Sequence, residues 1–261
     1  MSYDKVIVVC GRWPIHLQDT RDTHKRSPFG TDPFSQYFDD ANLSRRLVPL
    51  SRFTWCWLQV VQYINSKYNI DSVAELFGGV GRTTVLIQNV LKPTRHIVMD
   101  IDDVQYRQLQ SLIGEYNIDV LLGDAFQVSA SLMNVDLVAL DYSVTACRLQ
   151  REFNNMRLLL IKAARSNPKV ITITDSAASK LHLHPDAYTY DGFTPKTYLD
   201  YLIVLDMVVY DLIGYNINFV AYYNYGLACV VLGTNEDFIV VNDDNSPISR
   251  KCLEVVYDNV A

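Results

Sequence analysis

Apolar positions in this chain alternate between two periods, and the alternation predicts the architecture. Residues 51–68 carry Phe53, Trp57, Val60, Val61, Ile64 and Tyr68 at helical spacing, with Ser51 as an N-cap. Residues 73–77 then read as a short buried strand, followed by Gly78, Gly79 and Gly81 and by a helix over 83–91. The pattern recurs with a strand at 95–99 and a helix at 103–116, whose Val104, Leu109, Leu112 and Ile113 are expected inward. Strands follow at 120–122 and 137–140. One long helix over 145–166 is expected to turn Leu149, Phe153, Met156, Leu160 and Ala163 to one side. A strand at 169–174 and a helix at 197–213 complete five β/α units. Residues 218–223 and 227–232 then form a hairpin through Asn224-Tyr225-Gly226. Short strands are also expected at 6–9 and 238–241. Such alternation predicts an α/β, doubly wound, mostly parallel sheet ending in an antiparallel hairpin.

Residues 11–50 break the pattern. Pro14, Pro28, Pro33 and Pro49 interrupt any period, and Arg12, Arg21, Lys25, Arg26, Arg45 and Arg46 are interleaved with Trp13, Phe29, Phe34, Tyr37 and Phe38. This divides the chain into an N-terminal arm (1–50), an α/β domain (51–235) and a C-terminal extension (236–261).

Composition narrows the class. The 261 residues are 49% hydrophobic, enough for a full core. No apolar run reaches the ~18 residues of a membrane span, and the apolar run at 6–10 is too short for a secretory signal. Five scattered cysteines without a C-x-x-C pair read as reduced thiols in a cytoplasmic protein. The net charge of −6 is uneven, because residues 1–70 hold nine Lys/Arg against six Asp/Glu. Basic residues mixed with aromatics suit phosphates and stacked bases, so a nucleic acid is one expected partner of the arm. Packing of the arm on its own domain or on a second subunit, as a homo-oligomer or assembly contact, explains the same composition.

The candidate chemistry lies at the strand ends. The turn Glu75-Leu76-Phe77-Gly78-Gly79-Val80-Gly81 lets a ligand approach the main chain, and a helix start behind it favours polar groups. Further strands end in Asp100-Ile101-Asp102, in Gly123-Asp124-Ala125-Phe126 and in Asp141-Tyr142-Ser143. Ligands of open α/β sheets bind at that edge. A dehydrogenase site wants G-x-G-x-x-G, which the turn lacks.

In these residues the chain resembles the class I S-adenosylmethionine-dependent methyltransferases, over roughly 70–235. The resemblance implies a seven-stranded sheet with the hairpin as its last pair, and S-adenosylmethionine as cofactor. It implies Glu75, Phe77, Gly78, Gly79 and Gly81 at the cofactor's amino-acid end, Asp100 on the ribose hydroxyls, and Asp124, Ala125 and Phe126 at the adenine. Asp102 reads instead as a helix N-cap. Phe77, where many members have glycine, resembles the form common in nucleic-acid methyltransferases. Asp141 and Tyr142 stand where catalysis usually sits.

The amino-methylating enzymes' prolines are missing after Asp141. Cys147 lacks the Pro-Cys context of base C5-methylation, and Asp175 replaces the lysine expected of ribose 2′-O enzymes. Methyl transfer to an N or O acceptor, leaning to nucleic acid, is therefore the leading expectation. A structural or assembly protein on the same fold, viral among the options, is the second. The third is a Mg²⁺-dependent small-molecule O-methyltransferase using Asp141 and Asp175, although no metal site is assigned. His182 and His184, one residue apart in the loop after the fifth strand, read as a surface pair or as a base or metal ligand.

Overall fold

The computed structural model describes residues 6–10, 52–79, 81–175, 185–223, 227–235 and 238–242. The elements, in order, are β1 (Val6–Cys10), α1 (Arg52–Lys67), β2 (Ser72–Leu76), α2 (Arg82–Val90), β3 (Arg95–Asp100), α3 (Asp103–Gln110) and β4 (Asp119–Leu122). Next come β5 (Leu137–Val144), α4 (Ala146–Leu149), α5 (Asn155–Arg165), β6 (Val170–Asp175), α6 (Tyr198–Ile213), β7 (Asn216–Tyr223), β8 (Leu227–Gly233) and β9 (Phe238–Asn242). The strands form one sheet in the order β1-β9-β7-β8-β6-β5-β2-β3-β4. β8 runs antiparallel to both of its neighbours, and every other pairing is parallel.

The segment from β7 to β4 is the seven-stranded sheet with a final hairpin that the sequence predicts. The sheet then exceeds the expectation by two strands. β9 adds parallel to β7, and β1, the strand expected within the N-terminal arm, closes the edge parallel to β9. Both are continuous with the main sheet. The free edge of β7 offers backbone N–H and C=O groups that β9 satisfies.

Alternation along the strands builds a core on each face. On one side Val73, Leu137, Ala139, Val170, Phe219, Val231 and Val241 pack with Trp57, Val60, Val61 and Ile64 of α1. On the other, Leu76, Val138, Leu140, Ile171, Ile173, Val220 and Val230 pack with Leu159 and Leu160 of α5 and with Tyr201, Leu202 and Leu205 of α6. A third cluster joins Val85 of α2, Val98 of β3 and Leu109 and Leu112.

Capping explains several boundaries. Thr197 and Asp200 form a capping box at the start of α6, and Gly214, at φ 72°, ends that helix in the left-handed region. The expected helix over 145–166 is two helices. Asn154 accepts from the Met156 N–H and begins α5, while the Arg157 guanidinium donates to the Leu149 and Gln150 carbonyls at the end of α4. Phe153, expected inward, falls in that break and is 95% exposed. The expected helix over 103–116 stops at Gln110, and Val104 and Ile113 are exposed rather than inward. Short turns after it bring Leu112 and Tyr116 onto β3 instead.

Candidate functional site

β5 carries the feature on which the site depends. Its register to β6 is regular through Leu140↔Ile173 and resumes at Ser143↔Thr174, so two residues are inserted between those pairs. They are Asp141 and Tyr142. Sequence reasoning ended the strand before them. The structure instead places them in a bulge inside a strand that runs on to Val144. A bulge bends a strand and re-aims its side chains.

The two side chains lie on opposite faces. The Asp141 carboxylate accepts from Thr83 Oγ1 of α2 at 3.1 Å and from Thr174 Oγ1 of β6 at 3.4 Å. Burial of this carboxyl, with the Glu75 charge adding to the effect, pushes its pKa up to about 7. Tyr142 is 40% exposed and joins a ring cluster. Its centroid is 4.8 Å from Phe77 and 5.9 Å from Phe126, and Phe77 lies 5.4 Å from Phe126. These three residues, all named from the sequence, thus meet across the ends of β2, β4 and β5. Ala125, beside Phe126, is buried in the core of that face.

The glycine turn is shaped by packing as much as by torsion. A Cβ on Gly78 would stand 2.4 Å from Val98 Cγ1, and one on Gly81 would stand 2.6 Å from Leu112 Cδ1. Gly79 and Gly81 both hold positive φ, 55° and 86°, but at Gly79 the nearest atom to an added Cβ is Gln105 Oε1 at 3.7 Å. The three glycine amides of the turn are engaged, two of them by β3. Gly78 N–H donates to the Met99 carbonyl, Gly81 N–H to the Gly78 carbonyl and Gly79 N–H to Asp100 Oδ2. These three glycine amides are therefore not free donors.

Asp100 accepts from Gly79 N–H at 2.8 Å on one oxygen and from Asp102 N–H at 2.9 Å on the other. Each oxygen retains a second lone pair. Asp102 caps α3 through the amides of Val104 and Gln105, as its position suggested. Asp124 accepts from Phe126 N–H and caps a short 3₁₀ turn. Ile101 and Leu122, which sequence reasoning passed over, leave apolar side chains exposed beside Asp100. Their signal was an apolar residue at a strand's C-terminal end, where no core remains to cover it.

Glu75, expected at a ligand's amino-acid end, is fully buried. Its Oε2 lies 3.1 Å from Nε2 of His96, which is also buried and whose Nδ1 faces Gln88 Nε2 at 3.0 Å. No spacing rule singles out His96. It belongs to the site because β3 pairs with β2 in a register that sets His96 opposite Val73, two positions from Glu75 on the same face.

Asp141 and Asp175, the carboxylates considered for Mg²⁺, are turned away from each other. Asp175 is fully buried on the α6 face, where the Tyr201 and Tyr198 hydroxyls donate to it at 2.7 and 2.9 Å. Asp141 bonds to α2 on the other face, so one cation shared between them does not fit this arrangement. Tyr201 also accepts the Ala146 amide, which makes the Asp175 group a brace between β6, α4 and α6. Cys147 sits in α4 with its thiol against Thr145 Oγ1. His182 and His184 lie outside the described residues.

No family model and no curated protein matches the sequence. Solved structures do resemble the fold. The methyltransferase domain of bacterial CtHen1 superposes with a TM-score of 0.50 at 11% identity, covering 68% of this chain and 97% of that one. A SAM-dependent methyltransferase from Aquifex aeolicus gives a TM-score of 0.46 at 14% identity over 74% of this chain and 97% of its own. Aeropyrum pernix fibrillarin, solved with natively bound S-adenosyl-L-methionine, gives 0.45 at 14% identity over 68% and 76%. With the strand order, the single antiparallel strand and the likeness to the CtHen1 domain, this chain has the fold of the class I S-adenosylmethionine-dependent methyltransferases.

Proposed function

We propose that the chain binds S-adenosylmethionine at the C-terminal ends of β2 to β5 and transfers its methyl group to a nitrogen or oxygen acceptor. The observation that carries this reading is the β5 bulge. It sets Asp141 and Tyr142 beside the glycine turn, tied to it through Thr83 Oγ1 and through the Phe77 ring. The residues fit the cofactor's chemistry. Gly79 leaves room for close approach, Asp100 keeps acceptor capacity for a diol, and Ile101 and Leu122 offer an apolar wall to a purine. The cofactor supplies an electrophilic methyl on a sulfonium, so the protein's task is alignment and exclusion of water. Asp141, with a pKa of about 7, is suited to accept an acceptor's proton near neutral pH, and Tyr142 presents an exposed ring to a planar acceptor.

A nucleic-acid acceptor is the finer form of the proposal. It rests on the aromatic at position 77 and on the basic, aromatic-rich residues 11–50. Calorimetric titration with S-adenosylmethionine is the first test, and no binding at millimolar ligand overturns the enzyme reading. Transfer of labelled methyl to RNA or DNA, lost in Asp141→Ala with cofactor affinity kept, supports the catalytic assignment. Replacing Arg21, Lys25 and Arg26 by alanine should weaken nucleic-acid retention and reduce its salt dependence.

One observation favours a second reading, a structural or assembly role. The Phe77 ring lies across the strand ends, and the Gly78, Gly79 and Gly81 amides are bonded to Met99, Asp100 and Gly78. Failure to bind the cofactor in Phe77→Gly as well as in the wild type would favour that role.

A further inference from the structure

The stretch from α4 to the end of α5 carries charge of the opposite sign to the chain. Between Ala146 and Arg165 stand Arg148, Arg151, Arg157, Lys162 and Arg165 against a single carboxylate, Glu152, in a chain whose net charge is −6. Two of these cations are turned to main-chain oxygens. Arg157 donates to the Leu149 and Gln150 carbonyls, and Lys162 donates to the Val128 carbonyl at 2.9 Å and to that of Phe126 at 3.4 Å. Carbonyls hold a cation in place but leave its net charge. Among the described residues no carboxylate pairs with Arg151, Arg157, Lys162 or Arg165.

The same stretch exposes apolar surface. Phe153, in the break between the two helices, is 95% exposed, and Leu158 is 53% exposed. α5 buries Met156, Leu159, Leu160 and Ala163 in the core. Leu158, Lys162 and Arg165 follow at i, i+4 and i+7 on the side away from that stripe, along about 10 Å of helix. A lone exposed apolar residue is ordinary, but this ring stands among arginines. The strip adjoins the candidate site at two places. α4 begins two residues after β5, the strand that carries Asp141 and Tyr142, and the Ala146 amide ties it to the Tyr201 hydroxyl. Lys162 grips the turn that carries Phe126, a member of the Tyr142 ring cluster. Tyr190, beside Arg157 and bonded to Asp211, marks an acidic border.

We propose that α4 and the outward side of α5 dock a single-stranded nucleic acid, with Arg151 and Arg165 on its phosphates and Phe153 stacked on a base, and so lead the strand toward Tyr142. The inference rests on the nucleic-acid form of the methyltransferase reading and goes beyond it by placing a contact outside residues 11–50. Four of the five cations are arginine, whose planar fork matches two phosphate oxygens at once. An exposed ring beside such groups takes the π-face of any unpaired base. A duplex keeps its bases stacked on one another and offers the ring none. An anionic membrane fits less well, because α5 turns its apolar stripe inward to the core.

Fluorescence anisotropy of the full chain with a short labelled RNA or DNA single strand, from about 50 to 200 mM salt, tests this. The double variant Arg151→Ala with Arg165→Ala should make the slope of log affinity against log salt shallower by about 1.4, at about 0.7 per phosphate contact. Phe153→Ala should weaken binding by about tenfold, as for one lost stacked base, and leave that slope unchanged. Arg95→Ala, which removes an exposed cation at the N-terminal end of β3, should change neither. Each of these side chains is exposed, and S-adenosylmethionine affinity measured by calorimetry should stay that of the wild type in every variant. If the wild type binds the strand and the variants of the strip behave like Arg95→Ala, the inference fails and residues 11–50 are left to carry the nucleic-acid reading. If the wild type binds no strand even at low salt, the inference and the nucleic-acid reading fail together. Self-association, or binding to anionic vesicles, that Phe153→Ala abolishes while strand binding is untouched overturns the inference in favour of another occupant.

Discussion

Phe77 holds φ at 68°, in the left-handed region that a side chain with a Cβ enters at a cost of about 1–2 kcal/mol. The turn out of β2 requires that torsion, and the contacts with Phe126 and Tyr142, about 0.5–1.5 kcal/mol each, offset it. Phe77→Gly should therefore lower stability less than Phe77→Ala, the reverse of the usual order, because alanine keeps the strain and loses the rings. Thermal melts of the two variants check this. Asp141 makes the second prediction at this scale. Its pKa of about 7 lies above the ordinary carboxylate value of 3.8, so the folded chain holds a proton that the unfolded chain releases. Stability should fall as pH rises from about 4 to about 7 and level off above that. Asp141→Asn should melt higher than wild type at pH 8, by a few degrees, and the difference should vanish near pH 4. Asp206, buried with a pKa pushed up to about 6 and bonded to the Ile217 amide, acts in the same direction over a narrower window.

At the scale of elements, the turn between β2 and α2 depends on how closely β3 and α3 approach it. Gly78 has Val98 and Leu109 where its Cβ would be, whereas a Cβ on Gly79 would make only an ordinary contact with Gln105 Oε1 at 3.7 Å. Gly78→Ala must displace packed side chains and should destabilise by about 1–3 kcal/mol. Gly79→Ala meets only its positive φ, for about 1 kcal/mol, and should impair ligand binding more than folding. Denaturant titration set beside cofactor titration separates the two variants. The N-terminal ends of the central strands have their own staple. Burial works upward on the Asp136 carboxyl, but Lys169 at 2.9 Å and the amides of Asp71 and Ser72 outweigh it, and the pKa ends below the usual value. That group joins β2, β5 and β6 at the edge away from the candidate site.

At the scale of the molecule, β9 does more than lengthen the sheet. Ile239 and Val241 enter the core beneath α1, and Phe238 and Val240 enter the core beneath α6. β9 is also the strand on which β1 pairs. A chain ending at residue 235 should thus lose several kcal/mol from apolar burial alone, at about 1.5–3 kcal/mol per buried side chain. It should also lose amide protection over 6–10 and along β7, which hydrogen exchange by mass spectrometry reads directly. Among the described residues no helix is long and apolar enough to cross a membrane.

Local rules account for much of this protein. Alternating periods, the glycine turn and the Asp102 cap are each decided by residues within a few positions of one another, so the β/α order, the strand-end carboxylates and that cap were legible along the chain. The long-range pairings were not. Phe153 and Ile113 fit an inward helical stripe until Asn154 and the end of α3 interrupt the helices. The β5 bulge exists only against β6, the buried contact of His96 with Glu75 only because β3 pairs with β2, and the separation of Asp141 from Asp175 only because adjacent strands present them to opposite layers. Sequence determined which side chains stand at the carboxyl edge of the sheet, because strand period and turn chemistry are local. Tertiary structure alone decided which of them are dry, paired or exposed, because burial and charge coupling depend on neighbours from distant parts of the chain.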